Sequence, residues 1–499
     1  MTPFPYAELF SLLVPQIILV LTALAVLAAD AFFLRAADTP VRIKSGVVLS
    51  LIGCTLTIAR TLHTPLQANL LDGMIVLNPL VQQIQIVLLL LTMLTVLLFV
   101  SSTFTQHVSE YLALILLATV SMMFLVSTQN LLLIFLALEM LSLSLYILTA
   151  FNKSNGQSAE AALKYFLFGG TSAAFLLFGF SLLYGFSNST NLTHIASTIH
   201  GSSLDPLLIV AIVMVIVGLG FKVAAVPFHF WAPDVYQGAP APSAAFIASG
   251  SKVAAFYVLY QVMVIGLAGA EGGATWHTYA PGWVPVLAIV AVLSMVLGNL
   301  VAIRQSSVRR LLAYSAMAHA GYMLIGILAH SEQSLPALLY YAITYAVTVL
   351  GAFGVVALVE ANTGGDTLAH FAGLSRRAPI ASFCMFIFLL SLAGIPPLAG
   401  FFGKFYLFSA ALSTPAPTLG LIWLVVLAVA MSAVSLFYYL RVLKAIYVTD
   451  PPADAAPIRT PFVHNLVFGL IAASLVLLGC TPNLLLHWLR HAVDLVASR

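Results

Sequence analysis

The stretch Gly218-Leu-Gly-Phe-Lys222-Val-Ala-Ala-Val-Pro227-Phe-His229-Phe-Trp-Ala-Pro233-Asp-Val-Tyr-Gln-Gly-Ala-Pro240 closes an apolar run that begins at Pro206. Lys222 therefore sits deep in what hydropathy reads as a membrane helix, about one turn before a proline that must interrupt that helix's hydrogen bonds. A charge near the bilayer centre costs about 2.5–3.5 kcal/mol on the mild insertion scale, so such a lysine has to face a protein interior or a water-filled path. The rest of the chain supplies the parts of one.

With 62% hydrophobic residues, 7% charged residues and a mean hydropathy of +1.07 over 499 residues, the chain falls in the all-α polytopic membrane class. Its longest polar stretches, 187–205 and 447–461, are loop-sized and leave no room for a nucleotide-binding domain. Cys54, Cys384 and Cys480 stand far apart without a CxxC pair, which excludes an iron–sulfur or zinc site and predicts three small buried residues. Histidines at haem-ligand spacing are absent, and glycine pairs such as Gly169-Gly170 match no phosphate-binding pattern, so no cofactor or metal is expected in this chain. The net charge of +3 is spread over loops and points neither to nucleic acid nor to an acidic substrate. No Lys or Arg precedes Arg35, so the first apolar run is read as a retained helix rather than a signal peptide.

Runs long enough to cross a bilayer predict fourteen transmembrane helices: helix 1 at 9–34, then 43–62, 79–102, 109–128, 130–151, 159–186, helix 7 at 206–230, helix 8 at 241–266, 283–303, 308–329, 335–361, helix 12 at 379–411, helix 13 at 418–447 and helix 14 at 462–487. Segments after odd-numbered helices, with the adjoining helix ends, carry Arg35, Arg42, Lys44, Lys153, Arg304, Arg309, Arg310, Arg376, Arg377, Arg441, Lys444 and Arg459. Those after even-numbered helices and the tail carry only Arg60, Arg490 and Arg499. The asymmetry predicts a bacterial inner (plasma) membrane protein with both termini on the outer, periplasmic face.

Two spans are broken in related ways, helix 7 at Pro227 and helix 12 at Pro396 and Pro397. Interruptions five helices apart predict two inverted five-helix repeats, helices 4–8 and 9–13, with a pathway near the midplane. The chain then divides into 1–105 (helices 1–3), 106–270, 271–447, and 448–499 (helix 14 and tail).

The remaining four of the 19 basic residues, Lys164, Lys222, Lys252 and Lys404, all fall within spans. Glu139 is the mid-span carboxylate and the natural partner of Lys222. Burial disfavours the charge on each, while mutual attraction favours both, so separating the pair changes proton affinity at both ends. Lys252, central in helix 8 with no acid nearby in sequence, suits a relay, and Lys404 lies two turns past the break of helix 12. His319, central in helix 10, can accept and donate a proton near neutral pH. Lys164, close to the start of helix 6, reads equally as a relay or a snorkelling side chain, and His229, just past Pro227, as a relay or a structural donor.

At these residues the chain resembles the antiporter-like subunits of respiratory complex I, NADH:quinone oxidoreductase. The resemblance rests on Gly220-Phe-Lys222 through Pro242, on Ser251-Lys252, on Arg309 through Tyr322 and on Leu392 through Lys404. The run Asp234-Val-Tyr-Gln-Gly-Ala-Pro240 and the lysine at 404 resemble the subunit N branch. The resemblance implies Glu139 and Lys222 as a modulating pair, Lys252 as central relay and Lys404 as terminal site. It implies as partners the lipid bilayer and the other membrane subunits, including neighbouring antiporter-like ones. NADH, FMN, iron–sulfur clusters and quinone would all be used in other subunits, whose quinone reduction drives proton translocation. Helix 13 has no mid-span lysine to match Lys252, so the second repeat departs from the first. A subunit of a multi-subunit sodium/proton antiporter of the same fold is the alternative.

Overall fold

The computed structural model describes residues 6–64, 68–200, 205–275, 279–413, 420–452 and 456–497; Arg499, used above for orientation, lies outside them. Among the described residues, 12 helices are long and apolar enough to cross a membrane. They correspond to twelve of the fourteen expected spans, and the remaining two are the broken ones. Helix 7 is divided into Pro206–Lys222 and Trp231–Gly238, and helix 12 into Pro379–Ala393 and Ala399–Leu412. Helix 7 thus stops eight residues short of the expected 230, and its second half lies in sequence read as a loop. Pro227 prevents continuation, and the aromatic run after it resumes helical hydrogen bonding only at Trp231.

The helices begin where short polar side chains accept the first free backbone N–H groups. Asn78 caps helix 3 (Pro79–Leu98), Asn130 caps helix 5 (Leu131–Thr149), Asn155 caps helix 6 (Gly156–Ser187), Asp205 caps helix 7 and Ser307 caps helix 10 (Val308–Leu328). Helix 8 (Ala241–Gly266) changes direction at Ser249 and ends in a π-helical turn, Gln261–Gly266. The links after helices 2, 6 and 8 contain a hairpin (Ala68–Leu70 with Ile75–Leu77), a short helix (Leu192–Ile199) and a second hairpin (Gly273–Ala274 with Tyr279–Ala280). These ordered elements therefore follow even-numbered helices, opposite the basic rim.

Helix 14 ends at Cys480 rather than 487, because Pro482 starts a separate helix, Pro482–Ala497. That helix buries Leu485, Leu486, Leu489 and Ala492, and Gln83 of helix 3 donates to its Trp488 carbonyl at 3.0 Å. Cys54 and Cys384 are buried as expected, but Cys480, in the last turn of helix 14, is exposed. Helices 8, 10 and 11 (Ser334–Thr363) form the interior, with 89%, 94% and 89% of their apolar cores buried. Every polar side chain that these three helices place mid-span therefore faces protein.

Candidate functional site

The backbone groups freed by the break in helix 7 are taken up by side chains from distant helices. The ammonium of Lys252 donates to the Val223 carbonyl at 2.8 Å, the indole of Trp231 donates to the Phe221 carbonyl at 3.0 Å, and the Val226 N–H donates to Ser294 Oγ of helix 9 (Trp283–Ile303) at 2.9 Å. Lys252 is 2% exposed. The C-terminal end of a helix carries partial negative charge, so a cation there is favoured by about 0.3–1 kcal/mol, more when buried. A helix end thus serves Lys252 in place of a carboxylate. Ala224 adopts a left-handed conformation at φ 56°, and Pro227 faces outward.

Lys222, the last residue of the first half-helix, donates to Ser142 Oγ of helix 5. Ser142 stands one turn after Glu139 on that helix. Glu139 makes no ion pair with Lys222 within 4.0 Å among the described residues. The Ser142 hydroxyl in turn donates to the Leu138 carbonyl, so Lys222 is held on helix 5 by a serine rather than by the acid. Glu139 is half-buried, at the edge of an exposed apolar stripe formed by Leu132, Leu136, Met140, Leu143 and Ile147.

In helix 12 the lysine comes from the broken helix itself. Lys404 donates to the Leu392 and Ala393 carbonyls, both at 3.0 Å, and to Ser432 Oγ of helix 13 (Ile422–Tyr447) at 2.8 Å. Gly394 takes the left-handed position at φ 86° that Ala224 takes in helix 7, and each is followed three residues later by a proline, Pro397 and Pro227. This register matches Lys222 with Leu392, so Lys404 is not the positional counterpart of Lys222. It fills the role of Lys252, and the place on helix 13 that a lysine would take by analogy with helix 8 is held by Ser432. Gly400 is required by close approach: a Cβ there would stand 1.9 Å from the Ser391 carbonyl oxygen.

His319 of helix 10 is 2% exposed. Its Nδ1 is 2.6 Å from the Tyr341 hydroxyl and its Nε2 is 3.1 Å from the Tyr439 hydroxyl. Tyr439 also bonds Ser315, and the neighbouring Tyr438 donates to Asn299, whose amide donates to Tyr322. The Tyr322 ring lies 5.1 Å beneath the Lys404 ammonium. Sequence reasoning missed these tyrosines, because an aromatic in an apolar run reads as packing. The adjacent pair Tyr438-Tyr439, two hydroxyls mid-way along a membrane helix, was the available signal.

Lys164 is not brought to this axis. It pairs with Glu160 at 2.8 Å and with Asp234 at 2.7 Å, and Arg310 of helix 10 holds the other oxygen of Asp234 at 2.7 Å. Burial alone would raise the proton affinity of Asp234, but the hydrogen bonds from Lys164 and Arg310 outweigh it and hold the carboxyl below its usual range. His229 also stands apart; its ring stacks on Phe230 at 4.5 Å, and its Nδ1 has no hydrogen-bond partner among the described residues. Among the described residues, no group of three or more His, Cys, Asp or Glu side chains is placed to hold a metal ion.

Residues 128–434 match the family profile described as NADH:quinone oxidoreductase/Mrp antiporter, TM. The chain is 58% identical over 500 residues to the NADH-quinone oxidoreductase subunit N 2 of Acidobacterium capsulatum, covering 98% of this chain and 100% of that protein. Among solved structures, a chain of respiratory complex I from Thermus thermophilus is 34% identical, with a TM-score of 0.77 over 95% of this chain and 98% of that one. A chain of the Mrp complex from Dietzia sp. superposes with a TM-score of 0.80 over 96% of each chain at 20% identity, a likeness of fold alone.

Proposed function

Because the chain belongs to the subunit N family of NADH:quinone oxidoreductase, the antiporter-like, proton-translocating membrane subunit of complex I, we propose that its protons move along the buried axis Glu139–Lys222–Lys252–His319–Lys404. The observation that carries this reading is that Lys252 and Lys404 each rest on the carbonyl end of a broken helix, with the buried His319 hydrogen-bonded on both ring nitrogens. Burial disfavours an ammonium at these places and the carbonyls favour it, so the two effects oppose each other at each lysine and a change in the local field shifts the balance. Glu139 supplies the variable field. With its charge turned towards Lys222, it holds that ammonium; drawn away, it releases the proton towards Lys252.

The roles of the other sequence-predicted residues follow from their surroundings. Lys164 ties helix 6 to the second half of helix 7 through Asp234, and His229 lines the outer side of the break. Pro227, Pro396 and Pro397 keep the carbonyls open to the lysines. The basic rim faces the cytoplasm, which puts both termini on the outer face, and the neighbours in the membrane are further antiporter-like subunits. NADH, FMN, iron–sulfur clusters and quinone act in other subunits. The domain division at 105, 270 and 447 assigns one half-channel to each five-helix repeat.

The test is Lys222→Ala in the assembled complex. NADH-driven quinone reduction and the pH gradient across inverted membrane vesicles are expected to fall severely while assembly persists, since the substitution removes a charge that is costly to bury. Lys222→Arg is expected to restore only part, because a guanidinium does not release its proton. Normal pumping by a fully assembled Lys222→Ala complex rejects the assignment.

A further inference from the structure

His319 is bonded on both ring nitrogens, and both partners are hydroxyls that lead elsewhere. Ser315, one turn before His319 on helix 10, bonds Tyr439, whose hydroxyl lies 3.1 Å from Nε2. On the other side Nδ1 is 2.6 Å from Tyr341, and the Tyr341 ring packs so closely on Gly403 that a Cβ there would stand 2.4 Å from its Cδ2. Gly403 immediately precedes Lys404. Helix 10 starts at Val308, beside Arg309 and Arg310 of the basic rim, so the chain Ser315–Tyr439–His319–Tyr341 runs from the rim side of helix 10 towards Lys404. All four side chains are at most 2% exposed.

We propose that these four side chains form a hydrogen-bonded wire in which Tyr439 and Tyr341 carry protons to and from His319. This rests on the assignment of His319 to the proton axis. In one orientation Ser315 donates to Tyr439, Tyr439 donates to Nε2, and Nδ1–H donates to Tyr341. A proton arriving at Ser315 Oγ shifts each hydrogen one bond along. The O–H bond of Ser315 is replaced by the incoming one, the Tyr439 proton forms N–H at Nε2, the Nδ1 proton passes to Tyr341, and the Tyr341 proton leaves. One proton enters, one leaves, and no group keeps a net charge. Passage converts the imidazole from its Nδ1–H to its Nε2–H tautomer and reverses every hydroxyl. A second proton cannot follow in the same direction until the ring and hydroxyls reset. The rings of Tyr322, Tyr341 and Tyr345 pack round the imidazole at 5.7, 5.9 and 5.0 Å and oppose rotation of the ring. The wire therefore delivers one proton per reset, a valve in the second repeat, where helix 13 has tyrosines and helix 8 has a lysine.

The experiment measures protons moved per NADH oxidised in inverted membrane vesicles carrying the assembled complex. Tyr439→Phe keeps the ring and its packing but removes the hydroxyl, and Ser315→Ala breaks the wire one step away without touching His319. Each is expected to lose as much proton transfer as Lys404→Ala, and the double variant Tyr439→Phe/Lys404→Ala to lose no more, since steps on one path are not additive. Wild-type stoichiometry in Tyr439→Phe and Ser315→Ala, with Lys404→Ala impaired, overturns the wire and leaves the axis standing. Wild-type stoichiometry in Lys404→Ala as well rejects the axis. Should Tyr439→Phe not assemble, Ser315→Ala and Tyr341→Phe decide by the same criterion.

Discussion

The break in helix 7 is fastened from outside and the break in helix 12 from within. At the first, two other helices reach the freed backbone, with Lys252 from helix 8 and Ser294 from helix 9, beside Trp231 from the far half of helix 7 itself. At the second, Lys404 folds back on the carbonyls of its own helix, seven residues after Pro397, with Ser432 of helix 13 and the Tyr322 ring of helix 10 against its ammonium. The left-handed residue that ends the first half is an alanine in one and a glycine in the other. The first break is consequently coupled to the position of its neighbours, and its second half is tied at the rim through Asp234. The second is closer to a self-contained unit. A pulse that moves helices against one another reaches Lys252 through the backbone it holds on helix 7, and Lys404 through Ser432 of helix 13.

This contrast is most severely tested by Gly400→Ala. A Cβ 1.9 Å from the Ser391 oxygen cannot be accommodated without parting the two halves of helix 12, so the substitution is expected to destabilise by about 3 kcal/mol or more. Loss of the subunit from the complex on native gels checks it; normal assembly denies that the second break is self-contained.

Next comes the pair Lys404→Met and Lys252→Met. The first removes three hydrogen bonds and the second one, so the melting temperature of the detergent-solubilised complex should fall further for Lys404→Met, by the equivalent of about 1–3 kcal/mol. Equal losses erase the distinction between the breaks.

Asp234→Asn probes the rim tie that only the first break has among the described residues. It is expected to cost about 1–2 kcal/mol, since the carboxylate is partly exposed and its two cations remain solvated. Because its folded-state proton affinity is below the unfolded value, this contribution is present above a pH of about 4 and disappears as pH falls through the lower folded value. Acid should therefore destabilise the Asp234→Asn complex less than the wild type; parallel acid curves dismiss the tie.

The smallest effect is expected from exchanging the left-handed residues. Ala224→Gly relieves a conformation that costs an L-residue about 1 kcal/mol, and Gly394→Ala imposes it. Thermal shifts of opposite sign are the expected result, and shifts of one sign show that packing, not backbone conformation, governs both turns.

The helix count and the two breaks were legible because prolines and lysines in apolar runs have few physical explanations in a membrane. Lys222, Lys252 and Lys404 were singled out for that reason, and Glu139 and His319 as ionisable groups in apolar spans. What the lysines hold was not legible, since a backbone carbonyl becomes an acceptor only once the chain has left the helix, and the residue letter is silent about it. The asymmetry between Lys222 and Lys404 stayed hidden for the same reason; only the shared register of Ala224–Pro227 and Gly394–Pro397 shows that Leu392 stands where Lys222 does. Lys164 was undecided because one of its two partners, Asp234, lies 70 residues away and is itself held by Arg310, an arrangement made only when helices 6, 7 and 10 meet. The helix Pro482–Ala497 was merged into helix 14 because its apolar face continues the hydrophobic run, although Pro482 marks the join.

The exposed stripe of Leu132, Leu136, Met140, Leu143 and Ile147 fixes what kind of molecule Glu139 belongs to. An acid at the border of a bare apolar surface takes its dielectric from whatever lies against that surface. The field that Glu139 casts on its neighbours therefore depends on whether lipid or a protein flank covers the stripe, and belongs to the assembled membrane arm as much as to the subunit.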